Sequence, residues 1–131
     1  MLSHALNKKI LSLAPRFKVV DYQIDFEALK ACKGKIIPVW SGGSEKTIYG
    51  NPLVNYAFRA WHDSVPIQTG QGFTLPEETI VSHYQAGKLG GTFGEIINIE
   101  VIDQIKFFQK TNNFLDNQVE FCLKLLRERG F

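Results

Sequence analysis

Residues 95–104 read EIINIEVIDQ, and the fold turns on whether this run is a helix or a strand. Isoleucine and valine dominate it, yet Glu100 and Gln104 stand one helical turn apart. On a wheel of about 100° per residue, Ile96, Ile97, Val101, Ile105, Phe107 and Phe108 define a wide apolar arc, and Asp103, Lys106 and Lys110 mark the wet side. A long helix over about 94–111 accommodates this pattern. Glu100 and Gln104 fall inside the apolar arc, so the wheel predicts that both are largely buried. An unpaired ionised carboxylate there would cost several kcal/mol or take up a proton, so partners are required.

The regions on either side carry helical punctuation. Thr74-x-x-Glu77 is a capping box that opens a helix over about 75–87, with Gly87 or Gly90-Gly91 ending it and Ile80, Val81 and Tyr84 as its stripe. Asn51-Pro52 is an N-cap with proline in the first helical position. Val54, Ala57, Phe58, Trp61 and Val65 follow at helical spacing, and Pro66 is read as the stop. Asn113 is positioned to cap the last helix, with Gly130 just beyond its end. Towards the N-terminus, Ser3 caps a helix over about 3–13, RFKVVDYQ looks extended, Asp25 caps a short helix ended by Gly34, and KIIPVW is β-rich with Pro38 in it. The expected fold is mainly α, a single compact helical domain over 1–131 with about five to six helices. Within it, 1–50 forms an α/β-like segment with a minor β element, and 51–131 forms the helical core.

Composition narrows the function classes. The chain has 131 residues, 44% of them hydrophobic, and a net charge of +2. Its basic residues form no stripe, so a nucleic-acid partner is not indicated. No apolar run approaches the roughly 18–20 residues that span a bilayer. The N-terminal stretch is broken by His4, Asn7, Lys8 and Lys9 and reads as an amphipathic helix, not a signal peptide. Cys32 and Cys122 lack metal-ligand spacing, and two buried thiols in a reduced compartment is a simpler reading than a disulfide. Together these imply a cytoplasmic protein. Residues 41–50, SGGSEKTIYG, lack the ending of a phosphate-binding P-loop and read as a connector.

Each of the last four helices brings polar groups to its core-facing edge: His62 beside Phe58, Glu78 and Gln85 two turns apart, Glu100 with Gln104, and Gln118 between Cys122 and Leu125. Facing helices build metal and ligand sites in this way. Two readings are open. In one, His62, Glu78 and Glu100 hold a divalent metal or a reacting ligand, with Gln85 and Gln104 orienting them. One histidine and two carboxylates suit Mg, Mn, Fe or Zn alike. Glu100 is then the central acid, base or ligand in hydrolase or lyase chemistry, and His62 a proton shuttle. In the other, these polar groups satisfy one another and fix helix register, and the protein works through its surface. Its partner would be a host protein, a sequestered nucleotide or a second copy of this aromatic-rich chain. Arg59 and Asp63 read as a surface ion pair, and His4 and His83 as solvated. Trp40 and Trp61 read as core.

NYAFRAWHD (55–63), GFTLPEETIVSHYQ (72–85) and IEVIDQ (99–104) resemble a family of small uncharacterised bacteriophage proteins. Its pattern runs N-x-x-FR-x-x-HD, then F-x4-E-x6-(H/Q), then (T/N)E-x-x-GQ. The resemblance picks out Asn55, Phe58, Arg59, His62, Asp63, Phe73, Glu78, Gln85, Glu100 and Gln104. It implies a shared polar pocket, with Arg59 and Asp63 among its ligand-binding residues, and a viral or prophage setting in the host cytoplasm. The chain departs from the pattern where relatives continue HD-x-x-GH, since Ile67 replaces the second histidine, and where Asp103 replaces glycine. A metal site that needs a second imidazole is put in doubt by the first change.

Overall fold

The computed structural model describes residues 2–32, 35–42, 47–69, 74–113, 115 and 117–131. The chain is mainly helical and divides into two compact units, Met1–Gly72 and Phe73–Phe131.

Unit 1 begins with α1 (His4–Leu13), opened by the Ser3 hydroxyl, which accepts from the Leu6 amide at 3.2 Å. β1 (Phe17–Val20), α2 (Phe26–Lys30) and β2 (Ile37–Trp40) make a strand–helix–strand crossover, and its two strands pair in parallel with Phe17 opposite Ile37. The Asp25 carboxylate starts α2 by accepting from the Ala28 amide at 2.7 Å. The proposed glycine end of α2, Gly34, lies outside the described residues. α3 (Pro52–Thr69) opens as expected, with Asn51 Oδ1 accepting from the Leu53 amide at 2.9 Å. It packs against α1 on one side and β2 on the other. Leu29, Ile37, Val39 and Ala60 form the cluster that holds crossover and helix together, joined by Phe17, Ile24 and Tyr56. Tyr49, Phe58 and Trp61 are buried too, with ring centroids 5.6 Å apart for Tyr49–Phe58 and 6.3 Å for Phe58–Trp61.

Three expectations fail in unit 1. Cys32 is half-buried, not buried. Pro66 does not stop α3, which runs on to Thr69. A proline inside a helix removes one backbone bond, but this one is fully buried, and its apolar contacts offset the lost bond. Trp40 is not core. The residue is 37% exposed, and its ring lies across Gly42, where a Cβ would sit 2.2 Å from it.

The described residues of unit 2 form helices and turns and no strand. α4 (Leu75–Leu89) starts at Thr74, whose hydroxyl accepts from the Glu77 amide at 3.4 Å and donates to the Glu77 carboxylate at 2.8 Å. Its buried face carries Val81, Ser82, Gln85 and Leu89, while Ile80 and Tyr84 of the expected stripe are 54% and 50% exposed. Gly90, at φ 71°, turns the chain sharply into α5 (Gly91–Asn98). At Gly94 a Cβ would lie 2.6 Å from the Ala86 carbonyl oxygen, so glycine lets α4 and α5 approach backbone to backbone. The helix continues through a π-turn (Ile99–Asp103) into α6 (Gln104–Thr111), and Asn112 in the left-handed region ends it. α7 (Gln118–Glu128) closes the unit. It is capped by Asn117, not Asn113: the Asn117 side chain accepts from the Glu120 amide at 3.0 Å, whereas Asn113 donates its side-chain amide to the Thr111 carbonyl at 3.0 Å.

Candidate functional site

The π-turn explains where Glu100 and Gln104 point. The Gln104 amide reaches back five residues to the Ile99 carbonyl, the i→i+5 bond that defines a π-helix. Widening the turn lets Ile96, Ile97, Ile99, Val101 and Ile102 all be buried. A uniform α-helix would swing part of that set towards water. Ile96 and Val101, like Ile97 and Ile102, stand five apart, and this spacing is the trace of the turn in the sequence. The polar pair is rotated to the rim of the buried arc, so both side chains are half-buried, not enclosed.

Gln104 Nε2 donates to Glu100 Oε2 at 2.7 Å. The pair lines a hollow of about 290 Å³ whose other described walls are Val101, Ile105, Phe108 and Leu115. The walls are apolar, and the polar groups are concentrated in one carboxylate and one amide.

α7 supports this segment from beneath. Cys122 is buried on it, and its thiol is pushed up to about 12, first by burial and then by the Glu100 carboxylate. Asp103 and Glu95 add to the rise, and Arg129 opposes it. Arg129 bridges Glu95 on α5 at 2.5 Å and Asp103 in the π-turn at 2.8 Å. Bonding to Asp103, and then to Glu95, holds its guanidinium firmly in the charged form. The widened turn brings Glu95 and Asp103 onto one face, where residues seven apart would lie in an α-helix. Asp103, expected on the wet side, is thus a structural partner with a side chain only 18% exposed.

The remaining sequence-predicted residues fall into separate places. Gln85 is fully buried on α4, close in sequence to Ser82, whose hydroxyl donates to Asn98 Oδ1 at 3.0 Å at the entry to the π-turn. Glu78 is half-buried near the start of α4. His62 belongs to unit 1, where its ring lies 5.8 Å from that of Phe58. Arg59 donates to the Trp40 carbonyl at 2.7 Å. Arg59 and Asp63 line a different hollow of about 310 Å³, with Trp40 at the end of β2 and Gln23 and Ile24 beyond β1. His4 and His83 are exposed.

Among the described residues, no three His, Cys, Asp or Glu side chains gather as a metal shell. No described helix is long and apolar enough to cross a membrane. Comparison of the chain with models of known protein families, with curated proteins and with solved structures found no match. Sequence reasoning missed the Arg129 bridge, whose partners stand 34 and 26 residues away. No local pattern could have shown it.

Proposed function

We propose that the protein is a small-ligand-binding accessory protein of phage type, acting in the host cytoplasm, with its working site at the Glu100–Gln104 hollow. One observation carries this reading: a π-turn in an otherwise unbroken helix presents a hydrogen-bonded carboxylate–amide pair on the wall of an apolar hollow. Such turns recur at functional sites, and an apolar pocket with a few convergent polar groups is the usual form of a ligand site. The phage-type sequence pattern supplies both polar residues.

The chemistry of the pair selects the ligand. With one Nε2 hydrogen donated to Glu100, the hollow presents a carboxylate and an amide on an otherwise apolar wall. A small aliphatic or aromatic body carrying an ammonium or amidinium group fits it. A single carboxylate beside an amide provides one proton acceptor, which favours binding over two-group acid–base catalysis.

Titration with phenethylamine and cyclohexylamine, followed by NMR, tests the reading. Both amines should shift the Gln104 side-chain amide and the Ile105 methyls, whereas the corresponding alcohols and carboxylates should not. In a folded Glu100→Gln variant the affinity should fall at least about tenfold, the loss of one charge-assisted hydrogen bond. Equal binding of amine and alcohol, or unchanged affinity in the variant, would refute it.

A further inference from the structure

We propose that unit 1 carries a separate binding site for a small aromatic ligand bearing phosphate, of the mononucleotide class, in a groove where Arg16, Lys18 and Lys35 meet Tyr22.

The topology assembles the cations. Parallel pairing sets the beginnings of β1 and β2 side by side, with Lys18 opposite Pro38 and the Ile37 amide donating to the Arg16 carbonyl at 3.1 Å. Arg16, just before β1, and Lys18, within it, therefore come beside Lys35, just before β2. The three cations line one groove of about 580 Å³, and no carboxylate lies among its described walls. None of the three side chains makes an ion pair or hydrogen bond with another described residue. By contrast Lys30, in the same unit, pairs with Glu27 at 2.9 Å. In a chain whose net charge is only +2, this is a local excess of positive charge facing a concavity.

The rest of the groove is apolar. Tyr22 and Ile36 are 57% and 44% exposed, and Pro38 joins them as a lining residue. An exposed tyrosine beside aliphatic surface offers a stacking platform for a planar ring, and the cations offer charge-assisted hydrogen bonds to phosphate oxygens. The volume lies within the range of small-molecule sites. One molecule satisfies both halves: a ring with a phosphate attached.

The full chain is titrated with adenosine 5′-monophosphate and its amide resonances are followed. Parallel titrations use adenosine, inorganic phosphate and a short oligothymidylate. The monophosphate should shift Lys18, Tyr22 and Ile36, and adenosine or phosphate alone should bind at least about tenfold more weakly. Joint Lys18→Gln and Lys35→Gln substitution, at exposed positions, should leave the far-ultraviolet spectrum intact and weaken the monophosphate at least about tenfold. Tyr22→Leu should weaken adenosine and the monophosphate but not phosphate. The proposal is overturned by phosphate binding as tightly as the monophosphate, by preference for the oligonucleotide at equal site concentration, by unchanged affinity in the double variant, or by no shifts at about 1 mM monophosphate.

Discussion

Two long helices make opposite use of their sequences. α3 contains a proline and runs through it from Pro52 to Thr69. The helix from Gly91 to Thr111 contains neither proline nor glycine after Gly94, yet it abandons α-geometry for a π-turn at Ile99–Asp103. The backbone breaker fails to break, and the stretch without a breaker changes pitch. In both cases burial decides. Pro66 is kept because its ring is enclosed, and the π-turn is kept because it encloses five aliphatic side chains that α-geometry would spread around the helix. At about 25 cal/mol per Å² of apolar surface removed from water, about 40 Å² of burial offsets a backbone bond of about 1 kcal/mol.

If burial under α7 maintains the π-turn, ionising the buried group there should loosen it most. The Cys122 thiol is raised from 9.0 to about 12, chiefly by burial, so the folded state keeps its proton where the unfolded state has lost it. Its stabilising effect is therefore fully present below pH 9 and is lost as the pH rises from about 9 towards 12. In that window unit 2 should weaken by up to roughly 1.4 kcal/mol per pH unit relative to Cys122→Ala. Both tryptophans, Trp40 and Trp61, lie in unit 1, so their fluorescence does not report on unit 2. Amide exchange at 96–102 is the suitable readout. Parallel pH profiles for the wild type and Cys122→Ala would show that the thiol contributes nothing.

A smaller effect is expected at the Arg129 bridge. Arg129→Met keeps the apolar stem and removes both bonds to Glu95 and Asp103. The guanidinium is about a third exposed, so solvent screens the pair, and the loss should be about 1 kcal/mol. It should shrink in 1 M salt and speed exchange at Gln104 more than at Ile96. Uniform acceleration along the helix would separate the bridge from the turn.

Features fixed by neighbouring residues were legible in the sequence. Ser3, Asp25, Asn51 and Thr74 bond amides two or three residues ahead, and each marks the helix start that it was expected to mark. The Glu100–Gln104 pair was visible because residues four apart meet on any helix. Its half-exposure escapes a wheel that advances at one constant angle, which a π-turn does not obey. Of the two asparagines, Asn117-x-x-Glu120 carries the stronger capping signature, and Asn117 is the one that caps α7. The face of α4 is hidden from the sequence for a different reason. Two polar residues, Ser82 and Gln85, are buried while Ile80 and Tyr84 face outward, which reverses the usual preference of each.

The mildest test lies on the other side of the comparison. Pro66→Ala gives α3 back an amide for an ordinary i→i−4 bond and raises helix propensity. It also removes part of a fully buried ring. The regained bond contributes about 1 kcal/mol, and the vacated ring space costs a similar amount. The net change in unit 1, read from tryptophan fluorescence in a urea titration, should stay within about 1 kcal/mol. A large stabilisation would mean that the proline strains α3, and burial would then not be what carries the helix through it. A loss well above 2 kcal/mol would mean the reverse, that the buried ring outweighs the backbone bond it displaces. A near-zero result is what the comparison requires, because helix continuity at Pro66 then rests on two terms of similar size.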